Sequence, residues 1–477
     1  MTGTPPADGR ARAFLGLAPG LLAISIAACV ADNPAYCDAV TPCMDGGRPF
    51  CDESGTYRAS RGVKHTCIPE PACHPGSCGL EAPVCEVEEE VCTACRDDED
   101  CAGFDEAPRC AADGTCVGCV VNGDCESDAC HPITRECLSD EQVLYLDASA
   151  EEAGDCSRGA PCPDLGDAVT RLSPGRFALR LAPGGYPSGV STGPRTLLIL
   201  ADPNAILTPR SGADEMLLVE PDGDVLLQGV SLAGANGGAT MVGIRCQGDS
   251  TASTTLTVVG VTVTGTPNSG VDAHNCELSV VGSRIEKSGG WGINAIDGST
   301  DIVRSRIYEN GAGGVLASGT ALLFRNNFVG RNGSPAGGNL GVGLLNDLRP
   351  GSRVEHNTMV KNHGGLQCVG DSTLSNNILY GNGDGEQAIG CRVRSSLVGP
   401  VAEDGPGNLD APPIFLDPES DADFHLDPSS PGVDQAEDSD VADDIDGEPR
   451  PQGEASDMGA DEVVPEAAGR AEPAGRR

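Results

Sequence analysis

Asp272 and His274 are the residues of this sequence best suited to acid–base chemistry. They flank Ala273, so on a β-strand, where side chains alternate between faces, both would project from the same outer surface. A carboxylate and an imidazole placed in this way can remove and return a proton. A lyase or epimerase acting on uronate-containing glycans also needs a positive charge, and Arg245 is the nearest by register.

The alternative is that Asp272 and His274 are an outward-facing polar pair without a role in catalysis, and the sequence favours it. Arg284 and Arg306 lie on a different strand of the repeat described below. The clustered carboxylates that a glycoside hydrolase needs are not seen in the sequence. We therefore expect a non-catalytic protein, with a polysaccharide lyase or epimerase as the alternative.

The elements that must position these residues form a repeat with a period near 22 residues. Its units begin at Gly270, Gly292, Gly314, Gly343 and Gly365, and an insertion from Ser334 to Val342 lengthens one step. A single unit of this length cannot bury its apolar face alone, so stacked units share a core. The pattern predicts an all-β solenoid.

Aligning the units predicts which side chains form columns along the solenoid. We expect the small residues to point inward at Ala273, Ala295, Ala317 and Cys368. Their neighbours then point outward at Asp272, Asn294, Leu316 and Gln367. A second strand contributes the apolar column Ile285, Ile307, Phe328, Met359 and Ile378.

Two further columns are rich in asparagine. They contain Ser283, Ser305, Asn326, Asn357 and Asn376, and Ser288, Asn310, Asn332, Asn362 and Asn382. Asparagine tolerates the left-handed conformation at a bend, and stacked amides form hydrogen-bonded ladders. We interpret these residues as structural rather than as sugar ligands.

The stretch from Val143 to about Leu416 resembles the right-handed parallel β-helix, or pectin-lyase-like, family. At this period it holds about a dozen coils. A short helix between Asp164 and Leu172 is expected to cap the open end. Asp272-Ala273-His274-Asn275 resembles the Asp-x-His-Asp element of alginate epimerases, from which it departs at Asn275.

The sequence contains 23 cysteines, and sixteen of them lie between Cys37 and Cys137. We expect these sixteen to pair among themselves, because dense cysteines in an exported chain indicate a disulfide scaffold. Zinc bound by the repeated Cys-x2-Cys elements, at Cys92, Cys95, Cys116 and Cys119, is the less favoured alternative. The later pairs are predicted to be Cys156–Cys162, Cys246–Cys276 and Cys368–Cys391.

Residues 1–28 have the basic and apolar regions of an export signal. Ile26-Ala27-Ala28-Cys29 resembles a bacterial lipobox, which implies lipidation of Cys29 and a membrane-anchored protein. Ordinary cleavage near Ala28 is the alternative. Val30 and Ala31 after the cysteine imply delivery to the outer membrane or cell surface of a Gram-negative bacterium.

The formal net charge of −40 argues against nucleic acid as a partner, because binding it requires a basic surface. Acidic residues are densest near the C-terminus. The run from Pro412 to Glu462, with Asp444-Ile445-Asp446-Gly447 and Asp457-Met458-Gly459-Ala460-Asp461-Glu462, resembles the C-terminal region of the choice-of-anchor Q family of bacterial surface proteins, from which it departs at Asp461. Calcium is the one cofactor that the sequence suggests, and its oxygen ligands would come from Asp438, Asp440, Asp443, Asp444 and Asp446.

The sequence thus divides into five predicted regions. They are a signal peptide (1–28), a disulfide-rich region (29–138), a β-helix (139–416), an acidic region (417–462) and a disordered tail (463–477). We expect a surface-anchored lipoprotein that binds polysaccharide or a cell-surface partner, or is a structural module. The ligand and the oligomeric state are not determined by the sequence.

Overall fold

The computed structural model describes residues 37, 43, 47–74, 77–104, 107–151, 154–234, 238, 240–249, 253–335, 340–400, 404–420 and 422–464. The chain forms two compact units, Met1–Val117 and Gly118–Arg477. The division lies inside the predicted disulfide-rich region rather than at its end. The reason is that Ala129 and Leu138 share an apolar cluster with Val143 and Leu198 of the second unit.

The first unit is built from short antiparallel hairpins that disulfides connect. Its strands are Phe50–Asp52 with Thr66–Ile68, Val84–Glu86 with Val91–Thr93, and Arg109–Cys110 with Cys116–Val117. Its 3-10 helices are Arg58–Ser60 and Asp98–Cys101. So few large apolar side chains are present that disulfides supply most of the cross-linking.

The second unit contains the 3-10 helix Asn122–Asp124 and three long parallel sheets, which we call sheets A, B and C in the order that each coil visits them. Sheet A has eleven strands: Val143–Leu146, Ala178–Leu181, Thr196–Ala201, Asp224–Gln228, Thr255–Val259, Glu277–Val281, Ser299–Val303, Ala321–Arg325, Arg353–Glu355, Thr373–Ser375 and Arg392–Arg394. Sheet B has ten: Gly184–Ser188, Ala205–Pro209, Ser231–Ala233, Thr262–Thr264, Arg284–Glu286, Arg306–Tyr308, Phe328–Gly330, Thr358–Val360, Ile378–Tyr380 and Leu397–Gly399. Sheet C has nine: Val190–Ser191, Glu215–Val219, Val242–Gln247, Val271–His274, Trp291–Ile296, Gly313–Ser318, Gly343–Asn346, Leu366–Val369 and Ala388–Ile389.

Three sheets of nine to eleven strands confirm the all-β solenoid, with slightly fewer coils than the expected dozen. Alternation along each strand separates core from surface. On Trp291–Ile296, Ile293 and Ala295 are buried, whereas Asn294 and Ile296 are partly exposed. The core is therefore a continuous stack of aliphatic residues enclosed by the three sheets.

The register of sheet C follows the prediction with one correction. Ala273, Ala295 and Ala317 are aligned one coil apart, and Leu345 and Cys368 continue the column. Gly343, however, is paired with Val315 rather than with Gly314. The start of the fourth unit was therefore misplaced by one residue, because Gly343 imitates the glycine that begins the other units.

The predicted apolar column of sheet B was wrong at two positions. The aligned inward residues are Ile285, Ile307, Val329, Met359 and Leu379. Phe328 and Ile378 instead point outward and are buried in a second apolar cluster with Phe424 and Met458. A segment from the end of the chain covers this part of sheet B, so both faces are apolar and alternation no longer identifies the inner one.

The same one-residue shift affects the asparagine column between sheets A and B. The ladder passes through Ser305, Asn327, Asn357 and Asn377, where each backbone N–H donates to the side-chain oxygen one coil further on. Asn326 and Asn376 precede the ladder and have φ of 55° and 58°. The left-handed conformation and the ladder, both expected of one asparagine, thus belong to adjacent residues.

The asparagine column between sheets B and C is confirmed. Backbone N–H groups donate to the next side-chain oxygen along Ser288, Asn310, Asn332, Asn362 and Asn382. Each step repeats the same bond at about the spacing of neighbouring strands. These residues are buried, which supports their structural interpretation.

The α-helix Leu165–Thr170 lies within the predicted helical stretch. Asp164 caps it by accepting a hydrogen bond from the N–H of Asp167. Leu165, Ala168 and Val169 belong to the same apolar cluster as the first strands of the solenoid, so the helix covers part of its core.

Residues 404–464, without 421, form what we call the C-terminal segment. It contains isolated bridges rather than long strands, including an antiparallel bridge between Phe415 and Leu426. Phe424, Leu426 and Ile445 are buried against Phe328 and Val360 of sheet B. Residues up to 416, predicted to continue the β-helix, therefore include part of this segment, since the last strand ends at Gly399.

Candidate functional site

The candidate catalytic residues lie on the outer face of sheet C. Arg245, Asp272 and Asn294 occupy the same position on three successive strands. Arg245 Nη1 lies 2.6 Å from Asp272 Oδ2, and Asn294 Nδ2 donates to Asp272 Oδ1 at 2.6 Å. The strand register alone brings these three side chains together.

Two more side chains complete this polar cluster. His274 Nε2 lies 3.1 Å from Asp272 Oδ1, as expected for residues that alternate around Ala273. Arg245 Nε is also 3.3 Å from Glu215 Oε2, one strand further back. Asp272 is only 7% exposed, so its carboxylate is nearly removed from solvent while its neighbours are partly exposed.

The chemistry of this cluster is limited by its internal pairing. The positive charge of Arg245 is shared between the carboxylates of Glu215 and Asp272. Both oxygens of Asp272 are already in contact with side-chain nitrogens, at Arg245, Asn294 and His274. A base and a charge neutraliser are thus adjacent but engaged with each other.

Glu215 and Asn294 were not predicted from the sequence as members of this cluster. The available signal for Asn294 was its predicted place in the outward-facing row of sheet C. Glu215 gave no such signal, because it lies three residues before the position of its own strand that belongs to this row. Arg284 and Arg306 lie on sheet B. Their guanidinium carbons lie 5.5 Å and 5.3 Å from the ring centroids of Tyr308 and Phe328, away from Asp272.

A second polar cluster surrounds His425 in the C-terminal segment. Its ring nitrogens contact the carboxylates of Asp423 and Asp446, and Nε2 lies 3.8 Å from Asp461 Oδ1. The hydrogen bond with Asp446, followed by the charges of Asp461 and Asp423, raises the pKa of His425 to about 9. The imidazole is therefore positively charged at neutral pH and holds three acidic side chains together.

Burial favours the neutral form of three other groups beneath this segment. It raises the pKa of Asp457 and of Asp461 to about 6. Burial, and then the charge of Arg450, lowers the pKa of His356 to about 3. His356 is consequently neutral, with Nδ1 3.2 Å from the carbonyl oxygen of Asp457.

The five candidate calcium ligands are distributed among different partners. Asp440, Asp443 and Asp446 contact Arg353, Arg304 and Arg306, respectively. Asp444 is fully buried and accepts hydrogen bonds from the N–H groups of Asp446, Glu448 and Glu462.

Asp438 lies on a cavity of about 300 Å³ between the C-terminal segment and sheet A. The other four carboxylates therefore contact arginine side chains or backbone N–H groups at separate places and do not converge on one point. A calcium site built from these residues remains a prediction.

The structure pairs all sixteen cysteines from Cys37 to Cys137. The disulfides are Cys37–Cys51, Cys43–Cys67, Cys73–Cys85, Cys78–Cys92, Cys95–Cys110, Cys101–Cys116, Cys119–Cys130 and Cys125–Cys137. Each successive group of four is joined first to third and second to fourth. The Cys-x2-Cys elements span the boundaries between groups, and the four sulfurs considered for zinc are all in disulfides.

Three further disulfides lie in the second unit, at the pairs suggested from spacing and count: Cys156–Cys162, Cys246–Cys276 and Cys368–Cys391. Cys246 is aligned with Ala273, so its bond to Cys276 connects neighbouring coils. Cys368 and Cys391 have Cα atoms 5.0 Å apart, close to one strand spacing. Both bonds stitch the solenoid along its axis.

Several predictions lie outside the described residues: the signal peptide (1–28), Cys29, and the tail beyond residue 464. No helix among the described residues is long and apolar enough to cross a bilayer.

A comparison with protein families supports the class of fold. A family model described as right handed beta helix region matches residues 242–398. A crystal structure of pectate lyase Pel9A is similar at 15% sequence identity and a TM-score of 0.48, covering 68% of this chain and 97% of that chain. No curated protein matches the chain in sequence. The family match and the three parallel sheets, whose strands lie between Val143 and Gly399, together identify this part of the second unit as a right-handed parallel β-helix.

Proposed function

We propose that this chain is a lipid-anchored β-helix protein of the bacterial surface that binds polysaccharide without transforming it. The binding surface would be the outer face of sheet C. Its side chains stand in rows about one strand spacing apart, with Leu316, Leu344 and Gln367 partly exposed. Such a face suits an extended glycan chain, which can contact several coils at once.

The observation that carries the non-catalytic assignment is the pairing of Asp272. Proton abstraction from a sugar requires a base that the substrate can reach, whereas Asp272 is only 7% exposed, and stabilisation of a uronate requires an available positive charge. Asp272 and Arg245 neutralise each other, and Asn294 and His274 occupy the other carboxylate oxygen. We interpret this cluster as a structural one, which fixes the orientation of the outward-facing side chains of sheet C.

The anchor of the proposed surface protein is the lipid on Cys29, supported by Ile26-Ala27-Ala28-Cys29. A Cys29→Ser variant should lose metabolically incorporated fatty acid and leave the membrane fraction. A variant that keeps both the fatty acid and its association with the membrane would contradict the lipid anchor without affecting the proposed glycan binding.

Binding is tested with the purified ectodomain on immobilised uronate-containing and neutral glycans. Leu316→Glu on sheet C should weaken binding severalfold, because it places a hydrated charge on the proposed surface. The matched control is Val281→Glu, a partly exposed strand residue on sheet A. Equal binding by both variants and the unaltered protein would contradict the assigned face, and no binding to any glycan would contradict the function.

A polysaccharide lyase or epimerase is the second candidate, favoured by the contact of an arginine, a carboxylate and an imidazole on adjacent strands. A lyase would generate unsaturated products with a new ultraviolet absorbance, and an epimerase would change the uronate composition of the polymer. Either activity, if abolished by Asp272→Asn, would replace the non-catalytic proposal. Binding with an unchanged polymer would exclude the enzyme.

A further inference from the structure

The corner between sheets A and B changes character part of the way along the solenoid. It places one residue of each coil in the left-handed backbone region. Three successive coils have Gly229, Gly260 and Gly282 there, whereas the five coils after them have residues with side chains: Arg304, Asn326, His356, Asn376 and Ser395. Most side chains are unfavourable in this conformation, because the Cβ atom approaches the following carbonyl oxygen. Their retention on five coils in a row indicates that they serve another purpose.

All five of these side chains contact the C-terminal segment. Arg304 Nη1 lies 3.1 Å from Asp443 Oδ2. Asn376 Nδ2 donates to the carbonyl oxygen of Glu437 at 3.1 Å. The other contacts join Asn326 to Asp443, His356 to Asp457, and Ser395 to Glu437. A Cβ atom added to Gly260 or Gly282, by contrast, would meet no described atom within 4 Å. Side chains are therefore present at the corner where the segment covers it.

Four ion pairs join this corner to an acidic stretch of the segment, residues 437–446. The pairs are Arg394–Glu437, Arg353–Asp440, Arg304–Asp443 and Arg306–Asp446. We call the four arginines, together with the corner residues from Arg304 to Ser395, the corner groove. Each charge of the groove thus has a partner on one short stretch of chain.

The spacing of the acidic stretch matches the spacing of the coils. Its paired carboxylates recur every third residue, and three residues of extended chain span about 10 Å. The arginines that meet Glu437, Asp440 and Asp443 lie on, or directly after, strands of sheet A that are two coils apart at each step. Two coils span about 9.6 Å. The groove therefore recognises an extended acidic polypeptide in one register.

The segment is attached to the solenoid without adding a strand to sheets A, B or C. The side chains of the four ion pairs are between 27% and 73% exposed, and pairs this exposed are individually weak. Apolar contacts of Phe424 and Met458 with sheet B, at Phe328 and Ile378, complete the attachment. The segment is thus held by surface contacts, all of which the same segment of another molecule can make.

The connection between the last coil and the docked part of the segment is short. Leu409, near the start of the segment, is fixed to the last coil, since its N–H donates to the carbonyl oxygen of Ser396 at 2.8 Å. Ile414 begins the docked part, where its N–H donates to Ser430 Oγ at 3.1 Å. The residues between them, Asp410–Pro413, end in two prolines, which favour an extended chain. A rearrangement of these four residues is enough to transfer the docked part to another molecule.

We propose that the corner groove takes the acidic stretch of a second copy of this chain, in a reciprocal exchange of the two C-terminal segments from Ile414 onward. Every contact within one copy is then re-formed between two copies. Only the entropy of association and the rearrangement of Asp410–Pro413 oppose the exchange. The inference goes beyond glycan binding and does not depend on it.

A second copy fits the groove better than an unrelated polyanion does. Asn326 and Asn376 use their side-chain amides to bond backbone carbonyl oxygens, which requires a polypeptide. The arginines require a carboxylate at every third residue. Phe328 and Ile378 require apolar partners on the same polypeptide. The C-terminal segment of another copy supplies all three.

The exchange is tested by mixing two variants of the full ectodomain whose defects complement each other. The groove variant, Arg304→Gln with Arg394→Gln, retains an intact acidic stretch. The stretch variant, Glu437→Gln with Asp443→Asn, retains an intact corner groove. The two lost ion pairs are restored only between unlike copies, so the heterodimer should be favoured about tenfold over either homodimer. Sedimentation velocity with one variant fluorescently labelled measures this preference.

The matched control is a mixture of Arg392→Gln with Asp371→Asn, which divides an exposed ion pair outside the segment between two molecules. This mixture should show no preference for the heterodimer. The absence of a preference in the first mixture, or an equal preference in the control, would overturn the exchange.

A labelled peptide of residues 432–463 keeps the proposal testable if circular dichroism shows that the groove variant does not fold. The peptide should bind the stretch variant more tightly than the unaltered protein, because the variant's own stretch competes less. Equal affinity for the two would overturn the corner groove as the site. Equal affinity of polyglutamate would overturn the second copy as its occupant. Neither measurement involves a glycan, so failure of the exchange is distinguishable from failure of the proposed function.

Discussion

Nη1 of Arg450 lies 2.7 Å from Oε2 of Glu462, and neither side chain is accessible to solvent. Arg450 also donates to the carbonyl oxygens of Asp457 and Gly459, at 3.1 Å and 2.9 Å. A charge buried in this way must be fully paired. The C-terminal segment therefore has a polar centre of its own beside the apolar contacts that attach it to sheet B.

Removing one partner of this pair should be strongly destabilising. Arg450→Met leaves the Glu462 carboxylate buried without its cation, which costs about 3–5 kcal/mol in similar pairs. Urea unfolding followed by circular dichroism measures the loss. Arg392→Met is the control, since its partner Asp371 and Arg392 itself are more than two-thirds exposed. A loss of similar size in both variants would contradict the buried-pair interpretation.

His425 should make stability depend on pH in the alkaline range. Its pKa in the folded protein is about 9, above the ordinary value of 6.5, so protonation favours folding. The contribution is complete below about pH 6.5 and is lost as the pH rises through about 9. Unfolding free energies from pH 6 to pH 10 should fall, and His425→Gln should flatten this part of the profile. An unchanged slope in the variant would exclude His425 as its origin.

Asp461 should also make the stability of the protein fall as the pH rises, but in the acid range. Burial raises its pKa to about 6 from 3.8, so the folded state takes up a proton more readily than the unfolded state. Its contribution to stability therefore increases as the pH falls from about 6 to about 3.8. The sign is opposite to that of Asp446, whose pKa the hydrogen bond with His425 lowers. Asp461→Asn should remove this component from an unfolding series between pH 4 and pH 7. A series identical to that of the unaltered protein would contradict the prediction.

The buried ladder between sheets B and C should be sensitive to loss of one amide. In Asn332→Ala, the N–H of Asn310 and the carbonyl oxygen of Ile307 lose their partner. Leaving buried backbone groups unsatisfied costs about 1–3 kcal/mol per group. Asn346→Ala, which removes a partly buried bond to Ser318, should cost less than about 0.5 kcal/mol. Thermal unfolding of the two variants measures this difference. Equal losses would show that the ladder stabilises the protein no more than a single partly buried hydrogen bond does.

The disulfide Cys246–Cys276 should stabilise more than Cys156–Cys162. The two bonds close loops with sequence separations of 30 and 6 residues. Chain-entropy arguments give about 3–4 kcal/mol for the longer loop and less for the shorter one. Paired Cys→Ala variants, compared by denaturant unfolding, should rank in that order. The reverse order would show that local packing outweighs loop length at these sites.

The repeat, the alternation and the chemistry of single residue types determined much of this protein. A period near 22 residues specified stacked parallel coils, because each unit needs a neighbour to bury its apolar face. Alternation placed Ala273 inward and Asp272 outward, and the column from Ser288 to Asn382 was recognisable from its amides alone. These features are local or strictly periodic, so a sequence displays them directly.

Only the tertiary structure decided what covers the solenoid and which charges meet. Phe328 and Ile378 were predicted to point into the core of the solenoid. They point outward and are apolar because the C-terminal segment, which comes from the end of the chain, buries their outer side. Asn326 and Asp443, and His425 and Asp446, are joined by packing rather than by a pattern. The physical reason is that long-range pairing depends on how whole layers dock, and neither the spacing nor the type of a residue encodes that.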